Sequence, residues 1–510
     1  MKPPKLILRL ASWFTETRQQ KAHLNPQRVQ EKLLLNILKR YKNTELGHDF
    51  NLAGITSAAE FSQKIPTRTS IEHSPWWEKA LSENTEGIVH PKKLRYMALS
   101  SGTSGNSKHI PFPDEQLANF RKFSNHVFFH VFRELNDYSL LDENILITSS
   151  LGLQERPETG ITLGYSSGLA TLHSSNFAKN LIRPSNDILE ISNWEEKIHK
   201  TIEQAFDLDI RIVTGVPLPF IALLEYLISY ANSKGIPATC AKDIWPNLKV
   251  YSYSGSSLDI FEGKIKRLLG NGVELVEFYS STEAPIAYQY KLGKKGLLVD
   301  LLSTYYEFEP INEDEKKKLG RRLGIHEIEV GIPYEITITT VGGIFAYSLG
   351  DRVEFISTKP YVLVFSGRNK EEINISNEHL RLEQAQAILD KTCSETQTVI
   401  NQFLVCPQDI KGTKVQGYEW CIEFETPPHN SDTFLKLLDK NFQECNPPYA
   451  FYRNGNSFGA PSLYHLSKGT IDNYVRENVV FGQGKLLHLH NDRRIVEKII
   501  ALDKKSEETA

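Results

Sequence analysis

The sequence predicts an α/β fold with a large N-terminal lobe, its sheets covered by helices, and a small α+β C-terminal lobe. Two observations carry the first half of that statement. Short apolar runs at 145–148, 210–213, 250–253 and 273–278 alternate with helical patterns, which gives a sheet buried on both faces. From Ile325 the pattern changes to alternating apolar and polar residues, at 328–330, 334–339 and 353–355, as in half-buried antiparallel strands. A third observation divides the chain. The alternation breaks at Gly367-Arg368-Asn369-Lys370, and beyond it helical stretches (378–389, 432–442) mix with strands (398–405, 418–424). The boundary is therefore expected near residue 368, giving lobes 1–368 and 369–510.

Taken in order, the first clear element is a helix. Asn25-Pro26 has the form of an N-cap followed by proline at the first helical position, and Leu33, Leu34, Ile37, Leu38 and Tyr41 keep one face apolar until Gly47. Leu94 to Leu99 reads as a strand. Ser100 to Lys108 follows as Ser-Ser-Gly-Thr-Ser-Gly-Asn-Ser-Lys, without one large side chain. Ile110-Pro111-Phe112-Pro113 cannot be helical, because each proline pushes its predecessor out of the α region. Asp114 is placed as the N-cap of the apolar run through Phe132. Another helix is expected over 219–233, opening after Pro217 and closing at Gly235, with Leu223, Leu224, Leu227 and Ile228 as its buried stripe.

Composition narrows the function classes. The 510 residues are 40% hydrophobic and 24% charged, ordinary for a globular protein with a sizeable core. The 59 basic residues nearly balance 62 acidic ones, for a net charge of -3, so no field that would gather nucleic acid is implied. Cys240, Cys393, Cys406, Cys421 and Cys445 are scattered and form no C-x-x-C pair, which fits neither a disulfide framework nor a zinc ribbon. Free thiols in a reducing compartment are expected. Lys2 and Lys5 ahead of Leu6-Ile7-Leu8 have the outline of a secretion signal, but Arg9 interrupts the run and no small-residue cleavage site follows. No segment approaches a membrane span, and a cytoplasmic location is expected.

Four polar motifs interrupt the predicted elements. The Ser100–Lys108 stretch suits a phosphate clamp: glycines let backbone N–H groups approach, hydroxyls donate, and Lys108 supplies a point charge. It lacks the Walker pattern, so it is no ordinary P-loop, and a flexible polar linker is the plainer alternative. Tyr251-Ser252-Tyr253-Ser254-Gly255-Ser256-Ser257 ends a strand with small residues, where an open α/β sheet holds its ligand. Tyr279-Ser280-Ser281-Thr282-Glu283 ends the next strand, and a carboxylate there is a natural Mg²⁺ ligand once phosphates supply further oxygens; a solvated loop carboxylate is the alternative. Tyr347-Ser348-Leu349-Gly350-Asp351 closes a strand with a carboxylate able to accept from ribose hydroxyls, or is a plain Gly-Asp turn.

In this order, a Ser/Thr/Gly-rich loop ending in lysine, Tyr-x-x-Thr-Glu, Tyr-x-x-Gly-Asp and Gly-Arg at a hinge resemble the signature of the adenylate-forming, firefly luciferase-like enzymes. Their nearest form is the auxin-responsive promoter family of acyl acid amido synthetases. Val213-Thr214-Gly215-Val216-Pro217 and the run from Lys468-Gly469-Thr470 through Gly482-Gln483-Gly484-Lys485 to Asn491-Asp492-Arg493 favour that branch. The resemblance covers nearly the whole chain. It implies a mobile C-terminal lobe and a ligase using ATP and Mg²⁺. A carboxylic acid attacks the α-phosphorus to give acyl-AMP and pyrophosphate, and an amino acid amine then takes the acyl group. By matched position, Ser100, Ser101, Gly102, Thr103, Ser104, Gly105 and Lys108 would hold the β- and γ-phosphates. Ser254, Gly255, Ser256, Tyr279, Ser280, Ser281 and Thr282 would frame adenine and the α-phosphate, Glu283 would bind Mg²⁺, and Asp351 the ribose. Arg368 would meet nucleotide oxygens at the hinge, and Lys485 would contact the α-phosphate or bridging oxygen, joining Lys108 and Glu283 as catalytic residues. Ser348 departs from the arginine usual there, and Leu486-Leu487-His488 from the usual proline and arginine after the lysine.

Rival readings remain beside this one. Thioester formation with coenzyme A, or a nucleotide-binding scaffold without catalysis, would use the same residues. Gly164-Tyr165-Ser166-Ser167-Gly168 satisfies the hydrolase pattern G-x-S-x-G, but neither a preceding strand nor a following helix is expected, and an acyl-pocket loop is preferred. His488, His490 and Asp492 would share one strand face as metal ligands, and His126/His130 have helical i,i+4 spacing without the HExxH glutamate; packing is preferred for both.

Overall fold

The computed structural model describes residues 5–83, 86–100, 108–254, 258, 262–312, 317–318, 320–368, 372–373, 375, 378, 380–409, 416–454, 458–478, 486–491 and 493–509. The chain divides into two compact units, one chiefly of Met1–Ser257 and Glu262–Phe365 and the other chiefly of Ser366–Val479 and Gly484–Ala510, with Leu258–Phe261 assigned to the second.

The first unit is built on a long mixed sheet. Its parallel part is ordered Ile182–Arg183, Asn144–Thr148, Ile210–Gly215, Val250–Tyr253, Glu274–Ser280. Asn144–Thr148, Ile210–Gly215 and Val250–Tyr253 are largely buried and mostly apolar, as strands covered on both faces require, whereas Glu274–Ser280 carries Glu274 and Glu277 and is mostly half-buried. The antiparallel part continues through Pro285–Gln289, Leu297–Val299, Tyr361–Arg368, Tyr347–Thr358, Pro333–Thr340 and Thr304–Asn312. Antiparallel pairing therefore starts at Pro285, well before the Ile325 boundary read from alternation, because Pro285–Gln289 is buried on both faces and carries no alternating signal. Residues 328–330, expected as a strand, are outside any strand and follow a short 3₁₀ turn at Ile325–Glu327. A second, four-stranded sheet holds the antiparallel pair Tyr96–Ser100 and Lys108–Pro111, with Ile161–Tyr165 and Gln154–Arg156 alongside.

Helix boundaries refine the expectations in instructive ways. Pro26–Tyr41 buries Leu34, Ile37, Leu38 and Tyr41, but ends at Tyr41 instead of running to Gly47. Gly47 lies in the short helix Glu45–Asp49, capped by Thr44; a Cβ there would sit 2.1 Å from the Tyr41 carbonyl, so only glycine lets the two helices meet. Asp114 is the first residue of Asp114–Glu134, and Pro113 takes the N-cap position. Pro217–Ser233 starts with proline in its first turn and stops before Gly235 at φ +78°.

The second unit packs Leu382–Thr396 and Ser431–Cys445 with a three-stranded sheet of Val399–Asp409, Gln416–Thr426 and Ser462–Leu466. Its core is aromatic: Phe442 stacks on Tyr449 at 3.7 Å, beside Trp420, Tyr418 and Phe403. His488 belongs to this packing. Its ring stacks on Phe403, its Nδ1 bonds the Phe403 carbonyl, and its backbone and that of His490 pair with Val405. Among the described residues no cluster of three or more ligating side chains could hold a metal; Asp492 lies outside them.

Candidate active site

The parallel strands deliver their carboxyl ends to one edge of the sheet, where α/β sheets place ligands. Thr148, Gly215, Tyr253 and Ser280 stand there, and Thr148 pairs with Gly215. A Cβ on Gly215 would fall 1.6 Å from Thr148 Oγ1, so the Val-Thr-Gly-Val-Pro run needs glycine at that contact. Ser254 follows Tyr253 at the same edge; Gly255 and Ser256 lie outside the described residues.

Beyond Ser280 the chain turns tightly. The Ser281 N–H donates to the Ala284 carbonyl at 2.8 Å and the Ala284 N–H to Ser281 Oγ at 3.1 Å, which leaves Thr282 and Glu283 at the tip. Gln116 Nε2 holds the Glu283 carbonyl at 2.7 Å. Glu283 is thus buried, 7% exposed, and not the solvated loop carboxylate of the alternative reading.

Tyr347 joins this turn to the four-stranded sheet. Its hydroxyl donates to Glu283 Oε1 at 2.8 Å and accepts from Lys108 Nζ at 3.2 Å. Lys108 is positioned by its antiparallel pairing with Ser100. Burial, and then the Glu283 carboxylate, push the Tyr347 phenol far above its ordinary pKa, which keeps it protonated and donating. Behind it stand His73, held neutral at about 4 by burial, and Trp77, stacked on His73 at 5.3 Å. Glu283 Oε2 has no hydrogen bond among the described residues, and neither does the buried Ser100 Oγ. Ser101, Gly102, Thr103, Ser104 and Gly105 lie outside the described residues.

Asp351 reaches the same region by an irregularity. Tyr347-to-Asp351 opens the strand Tyr347–Thr358, where the sequence reading had it close one. The register against Pro333–Thr340 shifts between Glu335↔Arg352 and Thr337↔Ser348, a bulge that re-aims the side chains within it. Gly350, at φ +71°, supplies the backbone this requires. Asp351 is buried and accepts from the Tyr279 hydroxyl at 2.5 Å. Ser348, in place of the usual arginine, donates to buried Glu335 at 2.6 Å and accepts from the Gly350 N–H. A serine therefore shapes the bulge here.

The structure brings Lys108, Glu283, Tyr279 and Asp351 into two linked pairs, with Ser280 to Thr282 between. Arg368 ends the strand Tyr361–Arg368, with its side chain outside the described part, and Lys485 lies outside it altogether. Sequence reasoning quoted Tyr347 without giving it a role, and its place in the Tyr-x-x-Gly-Asp motif was the available signal. Gln116 carried none.

The hydrolase reading fails on a different ground than expected. Gly164–Gly168 does sit between a strand, Ile161–Tyr165, and a helix, Ser166–Leu172. However, Ser166 bonds to no histidine among the described residues, and a Cβ on Gly168 would lie 2.5 Å from the Ser150 carbonyl. The glycines serve close packing of helix on strand end.

The fold has counterparts among known proteins. In fold, the chain matches the GH3.15 acyl acid amido synthetase with a TM-score of 0.78 at 15% identity, covering 94% of this chain and 93% of that one. It also matches 2-hydroxyisobutyryl-CoA ligase in its postadenylation state, with a TM-score of 0.59 at 11% identity, over 94% and 92% of the two chains. The fold is that of the adenylate-forming enzymes. Models of the N-terminal, central and C-terminal domains of the GH3 family match residues 16–202, 297–368 and 383–494, and the chain belongs to that family. Its relatives include a jasmonoyl-L-amino acid synthetase of Nicotiana attenuata, 22% identical over 90% of each chain. Another is an indole-3-acetic acid-amido synthetase of Arabidopsis thaliana, 22% identical over 82% of this chain and 85% of that one.

Proposed function

We propose that this protein is an ATP- and Mg²⁺-dependent acyl acid amido synthetase, joining a small carboxylic acid to the amine of an amino acid. The observation that carries the reading is the hydrogen-bonded chain Lys108–Tyr347–Glu283 beside Tyr279–Asp351 at the carboxyl edge of the parallel strands. The amide-forming activity named for its relatives supports the choice of product.

A carboxylate is a poor acyl donor until one oxygen becomes part of a leaving group. In the first step the acid's oxygen bonds to the α-phosphorus and pyrophosphate departs. In the second the amine nitrogen bonds to the acyl carbon, AMP departs, and the nitrogen loses a proton. Charge developing on the phosphates must be met by fixed donors. Lys108, anchored on Tyr347, and the Ser100–Gly105 loop would supply them. Asp351, oriented by Tyr279, would accept from the ribose, and Ser254 to Ser256 with Ser280 to Thr282 would frame the base and α-phosphate. Glu283 fits a magnesium ligand: Tyr347 holds Oε1 and leaves Oε2 open, and one carboxylate completed by phosphate oxygens is the set this ion uses. When bound, the ion would neutralise charge on the phosphates. Arg368 would serve at the hinge between lobes 1–368 and 369–510, and Lys485 on the α-phosphate.

Acid-dependent ATP–pyrophosphate exchange over a panel of aryl, indolyl and fatty acids tests adenylation, and amino acids or coenzyme A added with the active acid decide the acceptor. Acyl-CoA with no amide would replace the proposal with the thioester reading. ATP binding without exchange would leave a non-catalytic scaffold. Lys485→Ala is expected to impair adenylate formation more than transfer from a pre-made adenylate; equal loss in both removes Lys485 from that role.

A further inference from the structure

The N-terminal helix Lys5–Leu24 is amphipathic in the inverted sense. Its inward face is made of Leu8, Ser12, Gln19 and Ala22, all buried, with Ser12 Oγ donating to the Phe129 carbonyl and Gln19 Nε2 to Asp300. Its apolar stripe points the other way. Leu6, Ile7, Leu10, Trp13 and Phe14 follow i, i+1, i+4, i+7, i+8 spacing and are each 49–68% exposed. Scattered surface leucines need no explanation, but five large apolar side chains on one outward face do.

Charge selects the occupant. The helix holds one acidic residue, Glu16, and it is turned inward to His130 and Arg133. The exposed charges, Lys5, Arg9, Arg18 and Lys21, are all basic. Asp142 sits 3.5 Å from Lys5, and Arg9 lies over the Tyr138 ring, which leaves Arg18 and Lys21 beside the stripe. A second copy docking helix to helix would bring like charges together. An anionic bilayer surface offers apolar depth for Trp13 and Phe14 and opposite charge for the flanks. No helix among the described residues is long and apolar enough to cross a membrane, so the contact would be interfacial. We propose that Lys5–Leu24 docks the protein on anionic lipid surfaces through Leu6, Ile7, Leu10, Trp13 and Phe14.

Flotation of the full-length protein with phosphatidylcholine vesicles, with and without phosphatidylserine, tests this. The protein is expected to float with the phosphatidylserine vesicles and to be released by salt. Leu10→Asp and Trp13→Asp should each lower partitioning about tenfold or more. Ile236→Asp, on another exposed surface, should leave it unchanged. Because the substituted side chains are exposed, thermal midpoints should stay near wild type, which separates lost docking from lost folding. No flotation with phosphatidylserine vesicles at low salt overturns the proposal, as does equal flotation of wild type and the two helix variants. A dimer in solution that Trp13→Asp converts to monomer, with no vesicle binding by either, assigns the face to a second copy instead.

Discussion

Two buried polar clusters in the N-terminal unit invite comparison. Both carboxylate oxygens of Asp300 are filled: Gln19 Nε2 donates to Oδ1 at 2.9 Å, the Leu302 N–H to Oδ1, the Ser303 hydroxyl to Oδ2, and His126 Nδ1 bonds Oδ2 at 2.6 Å. This cluster fastens the N-terminal helix to Asp114–Glu134 and to the turn after Leu297–Val299. The cluster around Glu283 is less deeply buried, at 7% exposure for Glu283 against 0% for Asp300, and among the described residues Glu283 Oε2 and the buried Ser100 hydroxyl have no hydrogen bond. A buried polar group without a partner costs free energy, and Gln19 Oε1 beside Asp300 carries that cost too, so the contrast lies in the two carboxylates themselves. The filled Asp300 carboxylate holds the fold, and Glu283 Oε2, an acceptor, would be completed by a cation or a donor, as in the proposed magnesium site.

The sharpest test of that contrast is to break the closed cluster. Asp300→Ala strands four donors in the interior and should cost about 3–5 kcal/mol of stability, read by chemical denaturation, while exchange activity per folded molecule stays near wild type. A loss below about 1 kcal/mol would mean the network is not needed for the fold. Glu283→Gln should do the reverse. The amide keeps the Tyr347 hydrogen bond, so the melting temperature should hold while acid-dependent exchange falls about 100-fold. Near-normal exchange would remove Glu283 from metal binding.

Tyr347→Phe is expected to be milder, about tenfold in exchange, because it removes one hydrogen bond from each of Lys108 and Glu283 without removing either charge. An effect as large as that of Glu283→Gln would make the phenol itself part of the chemistry. The smallest effect is on acid stability. Burial would raise the pKa of Asp300, but His126 and the donated hydrogen bonds outweigh it and hold the carboxyl below its usual range. Its contribution is therefore complete above the unfolded value of about 3.9 and is lost as pH falls through the lower folded value. Asp300→Asn should flatten that part of the acid limb in denaturation curves, and an unchanged limb would contradict the assignment.

Much of the fold and part of the site were legible beforehand, for local reasons. The apolar runs at 145–148, 210–213 and 250–253 are strands in the structure, and the small polar residues after them stand at the strands' carboxyl ends. Legibility stopped where contacts join distant segments. Gln116 meets Glu283, and Gln19 meets Asp300, across more than 150 positions, and no local pattern records either. The strand before Gly164–Gly168 was not expected because no local pattern marks it; Ile161–Tyr165 is held as a strand by pairing with Tyr96–Ser100.

By itself, the sequence determined periodicity and chemistry: which residues share a helical face, which strands are buried on both sides, and where glycine, serine and carboxylate interrupt them. The tertiary structure decided orientation and partnership. The stripe of Leu6, Ile7, Leu10, Trp13 and Phe14 is visible in the chain, but its outward direction follows from Ser12 and Gln19 finding buried partners at Phe129 and Asp300. Asp351 is visible as a turn carboxylate, but a bulge aims it at Tyr279. The physical reason is the same in each case. Local preferences are worth tenths of a kcal/mol to about one per residue, whereas leaving a buried polar group unpaired costs about 1–3, so long-range pairing overrules them.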